Sequence, residues 1–152
     1  MNDNSHLSGF PVVVSIPLHW GEQDPLGHMN NVAYLRWAET ARVDYLIRVG
    51  VWESLKRDGI GPILANVNCD YRRPLTYPDT VLIGTRVDHL GNSSMRMVHR
   101  MVSTACGEVA ADVSSVLVIY DYKVGKPVRI PDDIREAIAR IEASADSRAM
   151  GV

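Results

Sequence analysis

The sequence is poor in the features that mark secreted, membrane and nucleic-acid-binding proteins. It contains two cysteines, Cys69 and Cys106, which lie far apart and form no Cys-x-x-Cys pair, so neither a disulfide framework nor a zinc site is expected. No segment approaches the ~18 consecutive apolar residues of a membrane span. The 16 basic and 18 acidic residues leave a formal charge of -2, which gives no global positive field for nucleic acid or an anionic membrane.

Segment 1–10 has neither the basic start nor the apolar stretch of a signal peptide. Together with the scarcity of cysteine, this predicts a cytoplasmic protein. The length of 152 residues and the 46% hydrophobic composition predict one domain that spans residues 1–152, with its core at about residues 11–141. Residues 145–152 are expected to form a frayed tail.

A long amphipathic helix is predicted from Asn30 or Asn31, each a good N-cap, to Gly50, a natural residue to follow a helix end. The stretch contains no proline and no internal glycine, and it is about 19 residues long, or roughly 28 Å of helix. Its apolar residues recur at spacings of three and four and form one broad face. These are Tyr34, Ala38, Ala41, Tyr45 and Val49, flanked by Leu35 and Leu46.

Alternating patterns on both sides of this helix predict strands. Residues 11–19 form the first, and four longer ones follow a short bridging segment at 51–58. The four are 62–73, 80–89, 93–104 and 108–122. A final helix opens at Pro131 and carries Ile134, Ala137, Ile138 and Ile141 at helical spacing.

The predicted order of strand, long helix, four strands and helix is α+β. A five-stranded antiparallel sheet curled around the long helix would bury the helix's apolar face. The remaining sheet face and edges would then need a cover, and a partner subunit is the economical one.

The loop that leads into the long helix holds residue types suited to acyl transfer. Asp24 lies a few residues before the helix and would act as a nucleophile or activate a water. Gly27 lets the backbone approach a ligand closely. The unpaired N–H groups and positive dipole end of the helix near Asn31 would hold a thioester carbonyl oxygen as negative charge develops on it.

Spacing alone leaves ordinary roles open for each of these residues. Asp24 suits a turn, His28 suits a hydrogen-bonding loop position, and the Asn30–Asn31 pair suits a helix cap. Glu39 lies within one helical turn of Arg42, so a surface ion pair is available to it.

The run from Trp20 to Arg42 resembles the signature of the 4-hydroxybenzoyl-CoA thioesterase-like branch of the hotdog superfamily. The shared pattern is Asp-x-x-Gly-His-x-Asn-Asn-x-x-Tyr, followed by Glu-x-x-Arg in the helix. Segment 68–79 is similar to the family's second-strand ending, and the resemblance covers about residues 11–141. It implies a hotdog fold, in which a five-stranded antiparallel sheet wraps around a long central helix, and acyl-CoA thioesterase activity.

The resemblance also implies roles for the residues at the motif positions. Asp24 matches the catalytic carboxylate and the backbone N–H of Asn31 matches the donor that polarises the thioester carbonyl. The substrate-binding positions of the same motif are Gly27, His28, Asn30 and Tyr34. The family's site lies at a dimer interface with CoA held by both subunits, so a homodimer is the minimal unit expected and a homotetramer the expected assembly.

The substrate implied is an acyl-CoA, with no metal and no cofactor besides the CoA of the substrate. Benzoyl-specific members carry aromatic residues where this chain has the Asn pair, so a fatty acyl chain is favoured over an aryl group. The phosphates of CoA should meet cations at strand ends, and Arg72 and Arg73 are favoured because they close the second predicted strand. The ordinary alternative is that these arginines guard a sheet edge.

Rival functions remain open at this point. The thiol carrier could be acyl carrier protein, or the chain could be an acyl-CoA binder without turnover. A hydratase of the same superfold would need a different Asp and His motif, which the sequence lacks. Another hotdog branch places its catalytic Glu in the long helix, but with Asp24 present we assign Glu39 a structural or supporting role.

Overall fold

The fold is that of a computed structural model, in which the structure describes residues 5–151 apart from the side chain of Ala149. Its main feature is one antiparallel sheet with strand order β1-β3-β4-β5-β2. The strands are β1 (Val12–Pro17), β2 (Ile60–Tyr71), β3 (Thr80–Leu90), β4 (Ser94–Ser103), β5 (Val109–Asp121) and a short β6 (Lys126–Pro127) that pairs with β5. The five predicted strands are confirmed to within a few residues; the two-residue β6 was not predicted.

Helix α1 (Asn31–Arg48) begins and ends where the sequence predicted. The side chain of Asn30 accepts a hydrogen bond from the Val32 N–H at 2.9 Å, which caps the first turn. Gly50 has a φ of 85°, a backbone conformation open to glycine, and it lets the chain turn from α1 into helix α2 (Val51–Asp58). The bridging segment is therefore a second helix.

The apolar face of α1 packs mainly on β1, β3 and β4. The five residues predicted to form that face are buried, as is Leu46. Leu35, predicted to flank the face, is instead exposed, because it lies on a side of α1 that the sheet does not cover. Trp37 takes a buried place that the predicted face did not include.

A polar band crosses the core between an apolar cluster that contains Ile83 and Met101 and a second one that contains Met97 and Leu117. His99 is buried, and its ring nitrogens contact the hydroxyls of Thr85 at 2.9 Å and Ser115 at 3.3 Å. Burial, together with the nearby Arg42 charge, lowers the pKa of His99 to about 3. The band therefore holds a neutral imidazole at neutral pH.

Arg42 lies in the same core, so the expected surface ion pair with Glu39 is wrong. The sequence offered it as a surface partner for Glu39, but Arg42 is buried and Glu39 is exposed. No ion pair joins the two among residues 5–151, and Nη1 of Arg42 has no hydrogen-bond partner there. Burial lowers the pKa of Arg42.

Helix α3 (Asp132–Ala149) extends beyond its predicted end. The expectation of a frayed tail from residue 145 is wrong, since the helix continues to Ala149 and Ala145 is buried; Val152 lies outside the described residues, as do residues 1–4. The anchor is Glu142, whose carboxylate accepts hydrogen bonds from the Tyr45 hydroxyl at 2.5 Å and the Val87 N–H at 2.8 Å. Tertiary contacts thus hold a segment that looked weak in isolation.

Strand β2 forms one edge of the sheet and is exposed over much of its length. Its register against β5 shifts between Leu64 and Asn66, so the predicted alternation is interrupted there. Ile63, Leu64 and Val67 are each more than a third exposed. An apolar edge with unpaired backbone groups is a surface on which another strand can pair.

No helix in the described range 5–151 has the length and apolar character needed to cross a membrane.

Candidate active site

The loop before α1 is a closed turn organised by Asp24. Its Oδ1 accepts hydrogen bonds from the N–H groups of Leu26 at 2.8 Å and His28 at 3.3 Å, and its own N–H donates to the His28 carbonyl at 2.7 Å. Gly27 supports this turn with a φ of 80°. The turn uses one carboxylate oxygen, and Oδ2 has no hydrogen bond to any described residue. Asp24 therefore has the ordinary role of a turn residue, and its second carboxylate oxygen is still available for a reaction.

The first turn of α1 leaves one donor unused. Asn30 accepts from the Val32 N–H through its side chain and from the Ala33 N–H through its carbonyl at 3.0 Å. Its own N–H donates to the Glu22 carbonyl at 2.8 Å. The N–H of Asn31 is left without a partner among the described residues, at the positive end of the helix dipole.

Asp24 and Asn31 line the same cavity, which has a volume of about 370 Å³. Of the other predicted site residues, His28, Tyr34, Arg72 and Arg73 also line it. Gly27 and Asn30 do not: Gly27 shapes the turn, and Asn30 borders a neighbouring cavity of about 360 Å³. The remaining lining residues are Met29, Tyr71 and Pro74.

An aromatic wall closes one side of this cavity. The ring of Tyr34 lies 5.1 Å from that of Trp37 and 5.0 Å from that of Tyr71, which it meets edge-on. Burial raises the pKa of Tyr34, so its phenol stays protonated at neutral pH. Sequence reasoning missed Tyr71; its place in the alternation of β2, directly before Arg72 and Arg73, was a signal that could have found it.

The predicted cations stand at the rim of the cavity. Arg72 pairs with Asp112 at 2.6 Å, and Asp112 also accepts from Arg100 at 2.8 Å. Burial alone would raise the pKa of Asp112, but the two arginines outweigh it and lower the pKa. Arg73 reaches Glu108 only at 4.0 Å. Both rim guanidiniums are about half exposed, so they have donors left for an anion.

Among residues 5–151, no group of three or more His, Cys, Asp or Glu side chains is placed to hold a metal ion. The expectation that the chain binds no metal is left as a prediction. The chemistry available at the site is that of one carboxylate, one free backbone donor, a half-exposed pair of arginines and an aromatic wall.

The fold is that of hotdog thioester hydrolases, and proteins of this class are among those most similar to the chain. The model of the thioesterase-like superfamily matches residues 18–138, which is well over half of the chain. The chain belongs to this family. This match confirms the predicted family, and together with the relatives below it confirms the predicted fold and class of enzyme.

Several relatives support this membership. A solved structure of a thioesterase from Thermus thermophilus, complexed with coenzyme A and zinc, is 37% identical, covers 89% of this chain and 96% of that one, and has a TM-score of 0.78. A putative thioesterase from Pseudomonas aeruginosa is 28% identical over 85% of this chain and 98% of its own, with a TM-score of 0.76. The long-chain acyl-CoA thioesterase FadM of Escherichia coli K12 is 27% identical over 78% of this chain and 89% of its own length.

Proposed function

We propose that this protein hydrolyses an acyl-CoA thioester to a free carboxylic acid and CoA, with Asp24 as the nucleophile or general base. The observation that carries the proposal is the common cavity of Asp24 and Asn31. A carboxylate oxygen and an unpaired backbone N–H at one cavity are the two groups that thioester hydrolysis requires, one to deliver oxygen and one to stabilise the oxyanion.

The reaction would run between the loop and the helix N-terminus. The thioester carbonyl oxygen would accept a hydrogen bond from the Asn31 N–H, where the helix dipole also favours negative charge. In one route Asp24 Oδ2 would attack the carbonyl carbon, the C–S bond would break, and water would then hydrolyse the mixed anhydride and restore the carboxylate. In the other route Asp24 would take a proton from a water that attacks the carbonyl carbon directly. In both routes the CoA thiolate leaves and takes up a proton released by that water. A single turnover in ¹⁸O-labelled water separates the two routes, because only direct attack puts label into the Asp24 carboxylate.

The rim of the cavity suits the phosphates of CoA. Arg72 and Arg73 present half-exposed guanidiniums there, and Asp112 orients the first of them. Arginine binds phosphate oxygens in bidentate fashion, so two neighbouring guanidiniums are a reasonable anion clamp. His28, on the same lining, would shape the loop side of the pocket.

A fatty acyl chain is the acyl group we propose. The wall formed by Tyr34 and Tyr71 is apolar on its ring faces, and the exposed apolar side chains of β2 continue from it along the sheet edge. The relative FadM is named for long-chain acyl-CoA. Together these favour an extended aliphatic substrate.

We further propose a homodimer as the functional unit, and a homotetramer of such dimers. β2 ends the sheet with unpaired backbone groups and exposed Ile63, Leu64 and Val67. A second copy that pairs its own β2 there would extend the sheet and bury this edge in an isologous contact. Tyr71 closes the same strand, so the site lies beside the proposed interface.

The test is CoA release, measured with a thiol reagent over acyl-CoA substrates from acetyl to palmitoyl, plus benzoyl. We expect turnover, highest for the longer aliphatic chains. Saturable acyl-CoA binding without release of CoA would contradict hydrolysis and favour the acyl-CoA-binding alternative. Turnover of acyl carrier protein thioesters alone would identify the other carrier.

A further inference from the structure

A single hydrogen bond connects the edge strand β2 to the first turn of α1. The Tyr71 hydroxyl donates to the carbonyl of Asn31 at 3.1 Å. No second hydrogen bond joins β2 to α1 within the described range. The residue held in this way is the one whose own N–H is free at the cavity.

The Tyr71 ring reinforces this link from the side. It meets the Tyr34 ring edge-on at 5.0 Å, with the planes inclined at 76°, and both rings line the cavity. Tyr34, three residues after Asn31 in α1, is buried, whereas Tyr71 is about half exposed. One side chain from the sheet edge therefore touches the helix start through both its hydroxyl and its ring.

The Tyr71 hydroxyl remains protonated over a wide pH range. Partial burial, with smaller contributions from Cys69 and Tyr34, raises the pKa of Tyr71 to about 12. The phenol therefore keeps its proton through neutral and mildly alkaline pH and can donate to the Asn31 carbonyl over that range.

Loss of this bond would let Asn31 shift relative to β2. Two backbone hydrogen bonds hold the residues just before the turn: the Met29 N–H donates to the Leu75 carbonyl and the Asn30 N–H donates to the Glu22 carbonyl, each at 2.8 Å. The Tyr71 bond is the one that reaches the Asn31 carbonyl itself from β2. Displacements of about 1 Å between reacting groups are enough to reduce turnover on the order of 10²-fold.

We propose that Tyr71 is a positioning residue for the hydrolysis proposed above: its hydroxyl holds the Asn31 N–H in place against the cavity that contains Asp24. The inference rests on the proposed function. The Tyr71 hydroxyl does not contact the reacting atoms in this proposal, because it donates its hydrogen bond to the Asn31 carbonyl.

The test compares Tyr71→Phe with Tyr122→Phe in the full chain. Tyr122 is a matched control, because it is also about half exposed, donates to a backbone carbonyl (that of Pro62, at 2.8 Å) and meets another tyrosine edge-on, at 5.4 Å. We expect Tyr71→Phe to lower kcat about tenfold with KM unchanged, and Tyr122→Phe to keep the wild-type kcat. Both should unfold at similar temperatures.

A second measurement reports on the turn itself. Hydrogen exchange, followed by mass spectrometry of peptides from α1, should show faster exchange in the first turn of Tyr71→Phe and wild-type exchange toward Arg48. Wild-type kcat in Tyr71→Phe would overturn the positioning role while leaving the hydrolase assignment intact, and so would equal losses of kcat in the two variants. Absence of turnover in the wild type would overturn both proposals together.

Discussion

Acidification should destabilise this protein through His99. The imidazole is 1% exposed, sits between the hydroxyls of Thr85 and Ser115, and has its pKa lowered to about 3 by burial and by Arg42. An unfolded chain restores the ordinary pKa of 6.5. Protons then bind the unfolded state in preference to the folded one at every pH between these two values.

The sign and size follow from that difference. Above pH 6.5 the histidine is neutral in both states, and its contribution to stability is complete. Below pH 6.5, each further unit of acidification lowers the free energy of unfolding by about 1.4 kcal/mol until the folded pKa is reached. Lowering the pH from 7.5 to 5 should therefore remove about 2 kcal/mol of unfolding free energy through this one group, within a total of about 5–15 kcal/mol for a typical domain.

The assay is urea unfolding, followed by circular dichroism at several pH values, for the wild type and His99→Gln. Glutamine can still hydrogen-bond to the two hydroxyls but does not titrate. The two proteins differ only at residue 99, so the difference in the slope of stability against pH isolates His99. Protomer concentration is held constant because association would shift apparent stability.

His19→Gln is the control, since it makes the same exchange of histidine for glutamine at an exposed position. We expect the wild type and His19→Gln to lose the same stability between pH 7.5 and 5, and His99→Gln to lose about 2 kcal/mol less. Parallel losses in all three proteins would refute the reasoning, whatever the absolute stability of the glutamine variant.

Three further expectations concern the helix anchor and the sheet edge. Burial raises the pKa of Glu142, so ionisation of this side chain lowers stability above the folded pKa, and the wild type gains stability as pH falls toward 4.5. In urea unfolding, Glu142→Gln should therefore be at least as stable as the wild type at pH 8, and the difference between the two proteins should shrink in acid. Glu142→Ala should lose about 2–3 kcal/mol, because the Tyr45 and Val87 donors lose their acceptor; wild-type stability would contradict an anchoring role. Val67→Lys should shift the protein toward monomer in sedimentation experiments. The control, Val124→Lys, lies in the exposed turn after β5 and should leave the assembly unchanged. Equal masses for the two variants would argue against pairing through β2.

Local signals predicted much of this architecture. Asn30 and Gly50 mark the ends of α1 through capping and backbone freedom, which depend on neighbours in sequence. The alternation of the strands reflects a sheet with one buried face, so their approximate bounds were accessible too. The turn around Asp24 is likewise set within five residues.

The misses share a physical cause, which is that long-range contacts decided them. Tyr71 meets Asn31 across forty positions in sequence, and Glu142 meets Tyr45 across ninety-seven. Arg42 is charged and was expected at the surface, but the sheet covers it. No period or local motif encodes which side chains a fold brings together at such distances.

The most direct test of the central claim compares CoA release by the wild type, Asp24→Asn and Asp121→Asn. Asp121 is matched to Asp24, because its Oδ1 also accepts two backbone N–H groups of its own turn, those of Lys123 at 2.8 Å and Val124 at 3.1 Å. We predict that Asp24→Asn loses on the order of 10²-fold or more in kcat while remaining folded, and that Asp121→Asn keeps wild-type turnover. Wild-type turnover by a folded Asp24→Asn would contradict the account and place the catalytic group elsewhere.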